Sequence, residues 1–348
     1  LPPTVVWWQG RGAPAGLADL PAGTRLRTET EQGGVTAWTP GAPGDAPSLP
    51  QGVHTLTAAT PDGSTARVRL IVAPETMPGL AAGGVAAGRA PAGPAAPAVP
   101  GRRPARRVHG LLVQLYSVLS ERSWGMGDLG DLAELASWAG RAWGSGFVQV
   151  NPLHSGASCG PADPSPYRPS SRHVTDPVHL RIEDLHEYAY LGAEDHAQVA
   201  ELAARAARLR GAVLHDGALI DRDAVWTLKR RALELVNRVP LGPGRQAAYV
   251  DFLAEAGDAL EDYATWCALA EVHGCDWTVW PEGLRDPRSA ATARARGQLL
   301  DRVDFHSRLA WYADGQLAAA QRAAHDAGMP VGLMHDLALG VHPCGADA

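Results

Sequence analysis

The sequence has 348 residues, of which 45% are hydrophobic and 20% charged, and its formal net charge is −6. This length is sufficient for two domains with sizeable cores. The acidic balance argues against a nucleic-acid-binding surface, because phosphate backbones attract basic faces. The sequence has no apolar stretch of about 18 residues, so it predicts no membrane span.

The cysteines are the first candidates for a metal or disulfide framework. Cys159, Cys267, Cys275 and Cys344 show neither CxxC spacing nor nearby histidines at metal-ligand spacing. We therefore expect reduced thiols in a cytoplasmic protein, with no metal and no cofactor. The start, LPPTVVWWQG, lacks a charged region, a signal cleavage site and a Met, so we expect an incomplete N-terminus.

Residues 1–75 predict short strands separated by turns. The alternating runs GVHTLTAAT and TARVRLIVAP flank an Asp-Gly pair, which suits a hairpin turn. Together with VVWW and RLRTET, these runs predict a small all-β sandwich. Trp7, Trp8 and Trp38 are expected to pack in its core, with a sugar-stacking surface as the alternative.

Residues 76–107 differ sharply in composition. This stretch consists mainly of Gly, Ala and Pro with a cluster of arginines near its end. Such a segment cannot bury enough apolar surface to offset its ordering entropy, so it predicts a flexible linker.

Residues 108–348 begin with two buried strands separated by a helix. The apolar run VHGLLVQLY predicts a strand buried on both faces, and GFVQVNPL predicts a second. Between them we expect a helix from Asp128 to Ala139, closed by Gly140. This alternation is typical of an α/β fold with a parallel sheet.

The rest of the chain predicts a helical insertion and one further strand. Ala, Arg and Leu recur at helical spacing over about 183–300. A helix from Asp304 to Ala327 then precedes a third buried strand at 330–336. Three strands are too few for the surrounding helices, so we expect this domain to be unfinished as it stands.

Several motifs of this second region carry a family resemblance. They are GLLVQLYSVLSERSWGMGDLGDLAELASWAG, FVQVNPLHSG, SPYRPSSRHVTDPVHLRIEDL, IDRDAVWTLKRRAL, EDYATWCALAEVHG, WPEGLRDP and VGLMHDLALGV. In order and spacing they resemble the amylomaltases, which are 4-α-glucanotransferases, and a β-sandwich ahead of them resembles the actinobacterial branch. The resemblance implies a (β/α)8 TIM barrel, here incomplete. It also implies retaining transfer of α-1,4-glucan segments from a maltodextrin donor to glucose or a maltodextrin acceptor.

The resemblance implies that no catalytic residue lies within this chain. The family's nucleophilic Asp, acid/base Glu and stabilising Asp follow strands four, five and seven, and are expected beyond Ala348, so the fragment should be inactive alone. The run 302–306 is a near anagram of the family's Arg-Ile-Asp-His-Phe motif. We interpret its Asp304 as a helix N-cap. The run 181–184 also resembles that motif in part and is expected to lead away from the site.

The resemblance assigns substrate contacts to Ser165, Tyr167 and Asp336. Ser165 and Tyr167 belong to the family's Ser-Pro-Tyr motif, for which a Pro-rich loop with a packed tyrosine is the alternative. Asp336 ends the third strand, where a buried carboxylate needs an arginine or a sugar hydroxyl as partner; a structural ion pair is its alternative role. Arg168 and Ala338 depart from the Gln and Pro that the family usually has.

Two other functions compete with glucan transfer. One is a non-catalytic glucan-binding protein that uses the sandwich tryptophans and the Tyr167 loop. The other is a metal-dependent barrel hydrolase with His109, His335, Asp336 and His342 as ligands. The metal hydrolase is disfavoured, because His109 would begin the first strand at the end of the barrel opposite to the site.

Overall fold

The structure is a computed structural model. It describes residues 1–9, 11–40, 47–74, 108–156, 160 and 162–348. The chain divides into two compact units, Leu1–Gly79 and Leu80–Ala348. The predicted linker at 76–107 lies outside the described residues.

The N-terminal unit is a five-stranded sheet with one short helix. Its elements are β1 (Thr4–Trp8), α1 (Ala15–Ala18), β2 (Arg25–Glu29), β3 (Val35–Trp38), β4 (Gly52–Ala59) and β5 (Thr65–Ala73). The strand order is β1-β5-β4-β2-β3; β1 runs parallel to β5 and the other neighbours are antiparallel. The predicted hairpin is formed by β4 and β5.

Alternate side chains of this sheet pack into one apolar core. Leu56 and Leu70 are fully buried, and Leu17 of α1 packs in the same core. Trp7 and Trp38 also lie in it, with ring centroids 5.5 Å apart. The strand alternation places Trp8 on the other face, where 46% of it is exposed. The expected core role is therefore met by two of the three tryptophans.

The second unit combines a parallel sheet with long helices. Its elements are β6 (Gly110–Val113), α2 (Leu129–Trp143), β7 (Phe147–Val150), β8 (His154–Ser155), β9 (Ser171–Thr175), α3 (Ala193–His215), α4 (Arg222–Asn237), α5 (Pro243–His273), α6 (Ala290–Gln298), α7 (Leu300–Asp326) and β10 (Gly332–His335). The parallel sheet has the order β10-β7-β6, and β8 and β9 form a short antiparallel pair.

The sheet and two helices form one strand–helix layer of the barrel. Leu132 of α2, Val148 of β7 and Leu333 of β10 share a core with Ala320 and Ala324 of α7. Neighbouring strands follow one another along the chain, as in a (β/α)8 barrel. Helices α3 to α6 form an insertion between β7 and α7 in the sequence. Despite this insertion, β10 still pairs directly with β7. Among the described helices, none has both the length and the apolar character needed to cross a membrane.

Two predicted helix ends differ from the structure. Helix α2 ends at the left-handed Gly144 (φ 65°) instead of Gly140. Gly140 lies inside the helix. Its missing side chain permits close packing, because a Cβ there would lie 2.7 Å from the Cβ of Ala327. Helix α7 begins at Leu300, so Asp304 is inside the helix and is not its N-cap. Asp304 Oδ1 instead accepts a hydrogen bond from the Tyr249 hydroxyl at 2.8 Å.

Candidate functional site

A Pro-rich loop, residues 162–170, precedes β9 at the carboxyl end of the parallel sheet. The C-terminal end of the loop is held by a hydrogen bond from the Ser170 amide to the Ser155 carbonyl, at 2.8 Å. On the β8 side, the Gly156 amide donates to Asp176 Oδ2 at 2.8 Å. Asp176 therefore ties the residue after β8 to the residue after β9.

Inside the loop, local hydrogen bonds shape the Ser-Pro-Tyr turn. The Ser165 amide donates to Asp163 Oδ1 at 2.8 Å, and the Tyr167 amide donates to Ser165 Oγ at 3.4 Å. Side-chain acceptors that bond an amide two residues on are typical of turns. They leave Tyr167 on the surface, with 48% of it exposed.

Tyr167 and Asp336 meet although 169 residues separate them. The Tyr167 hydroxyl donates to Asp336 Oδ2 at 3.0 Å. Asp336 is positioned by its amide, which donates to the Val150 carbonyl at 3.2 Å and continues the β7–β10 ladder by one residue. The hydrogen bond to Asp336, with smaller effects of burial and charge repulsion, raises the pKa of Tyr167. The phenol therefore stays protonated and remains a donor at neutral pH.

The partner of Asp336 differs from the one expected. A charged group ending a buried strand predicted an arginine or a sugar hydroxyl, and in the described part of the chain the partner is a phenol. Asp336 and Tyr167 together present a carboxylate and an aromatic hydroxyl beside an exposed ring. Such a pair can accept hydrogen bonds from the hydroxyls of a sugar while the ring contacts its C–H face.

A cavity of about 260 Å³ lies beside the loop. Ser165, Arg168, His154 and Trp226 are among its lining residues. Within the described residues, His154 Nε2 and Trp226 Nε1 are buried without a hydrogen-bond partner. Burial, and then the charges of Arg172 and His335, lower the pKa of His154, so its ring is neutral at pH 7. The cavity therefore suits a polar ligand that can complete these bonds.

A buried ion cluster supports the segment that follows the loop. The Arg181 guanidinium donates through Nε to Asp128 Oδ1 at 2.9 Å and also bonds Asp131, and all three residues are at most 2% exposed. Lys229, the only lysine of the sequence, donates to the carbonyls of Val178 (2.7 Å) and Leu180 (2.8 Å). Helices α2 and α4 thus fix the backbone just after Asp176.

Sequence reasoning missed this cluster, although two signals were present. One is the lone lysine, and the other is the Asp-x-x-Asp spacing of Asp128 and Asp131, which form a capping box at the start of α2. Burial lowers the pKa of Lys229 against the attraction of Asp128 and Asp131, and burial raises the pKa of Asp128. Arg181, which begins the run 181–184, is a member of this cluster.

The proposed metal ligands are not assembled. His109 Nε2 lies 3.2 Å from the Trp143 carbonyl, beside the start of the first strand, whereas His335 ends β10. Across the described ranges, no group of three or more His, Cys, Asp or Glu residues is arranged to hold a metal ion. The metal-hydrolase hypothesis therefore has no ligand set here.

The cysteines differ from the expectation of reduced thiols. Cys275 is disulfide-bonded, whereas Cys267 and Cys344 are not part of a disulfide. Linear spacing could not reveal this, because a disulfide depends on which cysteines the fold brings within about 6 Å of each other.

Comparison with known proteins decides the family. A family model described as 4-alpha-glucanotransferase matches residues 113–348. The chain belongs to the 4-alpha-glucanotransferase family. A second model, described as the MalQ N-terminal beta sandwich domain, matches residues 1–74. The resemblance to amylomaltases that the motifs carry is confirmed.

Curated 4-alpha-glucanotransferases are similar to this chain over part of their own length. Those of Mycobacterium bovis and Mycobacterium tuberculosis are 47% identical over 259 residues, which is 72% of this chain and 34% of theirs. The one from Haemophilus influenzae is 28% identical over 310 residues, 84% of this chain and 40% of its own. The chain therefore spans about a third of the length of the mycobacterial relatives.

Solved structures confirm the predicted fold class of this 4-alpha-glucanotransferase family chain. The crystal structure of amylomaltase from Corynebacterium glutamicum aligns with a TM-score of 0.70 and 30% identity, covering all of this chain and 46% of that one. Amylomaltase from Streptococcus agalactiae in complex with acarbose aligns with a TM-score of 0.56 and 18% identity over 70% of this chain and 45% of its own. At that identity the second likeness concerns the fold alone.

Proposed function

We propose that the whole protein is a 4-α-glucanotransferase. It transfers α-1,4-glucan segments from a maltodextrin donor to glucose or a maltodextrin acceptor by a retaining double displacement. Within this reaction, the part described here holds the glucan. The hydrogen bond between Tyr167 and Asp336, which joins two family motifs at the carboxyl end of the sheet, is the observation that carries this proposal.

The Tyr167–Asp336 pair has the chemistry of a sugar contact. The Tyr167 hydroxyl donates a hydrogen bond to Asp336, so the lone pairs of its oxygen are available to accept a hydrogen bond from a sugar hydroxyl. Asp336 retains a second carboxylate oxygen as an acceptor. Ser165 lies two residues before Tyr167 and can add a hydroxyl contact at the same turn. A bidentate arrangement of this kind orients a glucose unit without forming a covalent bond.

The same proposal predicts that this chain binds without catalysing transfer. Retaining transfer needs a nucleophilic carboxylate and an acid/base carboxyl about 5 Å apart. In the proposed enzyme these groups follow later strands of the barrel. We expect no disproportionation of maltotriose by this chain and disproportionation by a chain extended through strand seven. Glucose release by the chain alone would contradict this division of labour.

Binding of maltoheptaose tests the site directly. Isothermal titration of the unchanged chain, Tyr167→Phe and Asp336→Asn should show affinity lowered by about 3- to 10-fold in each variant, the loss of one or two hydrogen bonds. Tyr190→Phe is the matched control, because Tyr190 is also a surface tyrosine and is 64% exposed. Equal affinities for all four proteins would contradict a glucan contact at Tyr167 and Asp336.

A further inference from the structure

A tyrosine of the helical insertion bonds the strand that anchors the Tyr167 loop, residues 162–170. The hydroxyl of Tyr263 in α5 lies 2.7 Å from Ser155 Oγ in β8, although 108 residues separate the two. Both residues are buried, with 5% of Tyr263 and 1% of Ser155 exposed. Further chain packed onto this unit can only enclose these atoms more, so the bond does not depend on an exposed surface.

Ser155 in turn holds the end of the loop. Its carbonyl accepts a hydrogen bond from the Ser170 amide at 2.8 Å. Only two residues separate Ser170 from Tyr167, and one of them is Pro169, whose ring fixes φ. A displacement of Ser155 is therefore transmitted through a short, stiff piece of chain to Tyr167, whose hydroxyl has to meet Asp336.

The ring and the hydroxyl of Tyr263 contribute differently to this arrangement. The ring packs in an apolar cluster with Leu260, Trp266 and Val174 of β9. A phenylalanine would fill the same space, and a buried hydroxyl costs free energy unless it is hydrogen-bonded. The hydroxyl therefore adds direction to the packing, because its bond to Ser155 fixes where β8 lies against α5.

Other restraints on the loop limit the effect of this one bond. The Ala162 amide donates to Oδ1 of Asp223 in α4 at 2.8 Å, so the insertion also holds the start of the loop. The Ala346 amide donates to Ser170 Oγ at 3.0 Å. Loss of the bond to Ser155 should therefore displace the loop without releasing it.

We propose that Tyr263 is a positioning residue for the Tyr167–Asp336 contact, and that the helical insertion thereby sets the geometry of the loop. Tyr263 is buried, so it acts through Ser155 and the loop rather than by touching a sugar. The value of this geometry for glucan binding rests on the proposed function. A pair that is already in place loses less conformational entropy when a sugar binds.

Carbon-13 NMR of the unliganded chain, labelled at the tyrosine Cζ atoms, tests the positioning. The chain has seven tyrosines, and Tyr167→Phe identifies the Tyr167 signal by removing it. Asp336→Ala removes the acceptor and gives the position of this signal without the hydrogen bond. Tyr263→Phe should move the signal part of the way towards that position, because the loop is displaced but still held.

Two further variants separate positioning from a general loss of packing. Ser155→Ala removes the same bond from the β8 side and should move the Tyr167 signal in the same direction. Tyr249→Phe is the matched control: Tyr249 also lies in α5, is 3% exposed, and bonds Asp304 of α7 at 2.8 Å instead of β8. A signal unmoved by Tyr263→Phe and Ser155→Ala, or moved equally by Tyr249→Phe, would overturn the proposal.

Maltoheptaose titration distinguishes this inference from the proposed function. Tyr263→Phe should weaken binding about 3-fold, and should have a smaller effect in the Tyr167→Phe background, where the hydrogen bond that it positions is absent. Equal fold-losses in both backgrounds would overturn the positioning role. A shifted Tyr167 signal, with equal affinities for the unchanged chain and Tyr167→Phe, would overturn the proposed function and leave the positioning intact.

Discussion

The buried face of the N-terminal sheet is mostly apolar, with Thr28 and His54 as uncharged polar exceptions, whereas the segment behind the Tyr167 loop buries an arginine, a lysine and two aspartates. In the sheet, the core consists of side chains such as Leu26, Leu56 and Leu70. Behind the loop, Arg181 and Lys229 are completely buried. Apolar burial is non-directional and tolerates small shifts. Buried charges are stable only in one geometry, so they suit a place where a loop must be held in register.

The largest effect expected from this contrast is that of Arg181→Met. The change keeps much of the side-chain volume but leaves Asp128 and Asp131 buried without the guanidinium that bonds both of them, which costs about 3 to 5 kcal/mol of the free energy of unfolding. Arg27→Met is the matched control, because Arg27 and Glu29 form a pair that is about half exposed and contributes about 0 to 1 kcal/mol.

Hydrogen exchange of peptides from each unit in increasing urea measures this difference. Arg181→Met should accelerate exchange in α2 and in residues 176–184, and should leave β4 and β5 unchanged. Equal, small effects of the two arginine variants would show that the buried cluster contributes no more than a surface pair.

Leu70→Ala sharpens the comparison from the apolar side. Leu70 is fully buried, so its truncation leaves a cavity and should cost about 2 to 5 kcal/mol. Val53→Ala, on the exposed face of the same sheet, should cost less than about 1 kcal/mol. The same exchange measurement should find the loss confined to the N-terminal unit. Loss of protection in α2 or α7 would mean that the two units do not unfold independently.

The smallest expected effect concerns the partly exposed carboxylate of Glu271 and depends on pH. Burial would raise the pKa of Glu271, but hydrogen bonds from His306 and Arg302 outweigh it and lower the pKa to about 2. The folded pKa thus lies below the ordinary value of 4.5. The carboxylate therefore stabilises the fold above about pH 5, and this contribution, about 1 to 2 kcal/mol, disappears as the pH falls towards 2.

Urea denaturation of the unchanged chain and Glu271→Gln between pH 2 and 7 checks this dependence. The difference between the two proteins should be largest at neutral pH and shrink towards pH 2. A difference that stays constant over this range would show that the ionised form of Glu271 is not what stabilises the fold.

Local patterns predicted the elements better than their ends. Strict alternation located the β4–β5 hairpin, and continuous apolar runs located β6 and β7. The prediction that β6 is buried on both faces was wrong: it lies at an open edge of the sheet, and Leu112 is 71% exposed. The end of α2 was wrong because Gly140 is required for packing against Ala327, a contact between residues far apart in sequence. The start of α7 was wrong because Asp304 bonds Tyr249 of α5 instead of capping its own helix.

The site shows the same limit. Family motifs indicated Tyr167 and Asp336 separately, and each residue had a purely structural role as its alternative. That they bond each other depends on the parallel register of β7 and β10 and on the loop closed by Asp176, which no local pattern contains. Arg181, Asp128 and Lys229 come from three separate segments, so their convergence could not be read from spacing.

The burial of Lys229 also controls how this residue reacts with amine-directed reagents. The chain has one lysine, and its Nζ is enclosed by the carbonyls of Val178 and Leu180. In the native state, acylating reagents and amine-directed cross-linkers should therefore not reach the Nζ of Lys229. Modification of Lys229 requires α4 to separate from the segment after the loop, so the rate of acylation at this one position records how often that separation occurs.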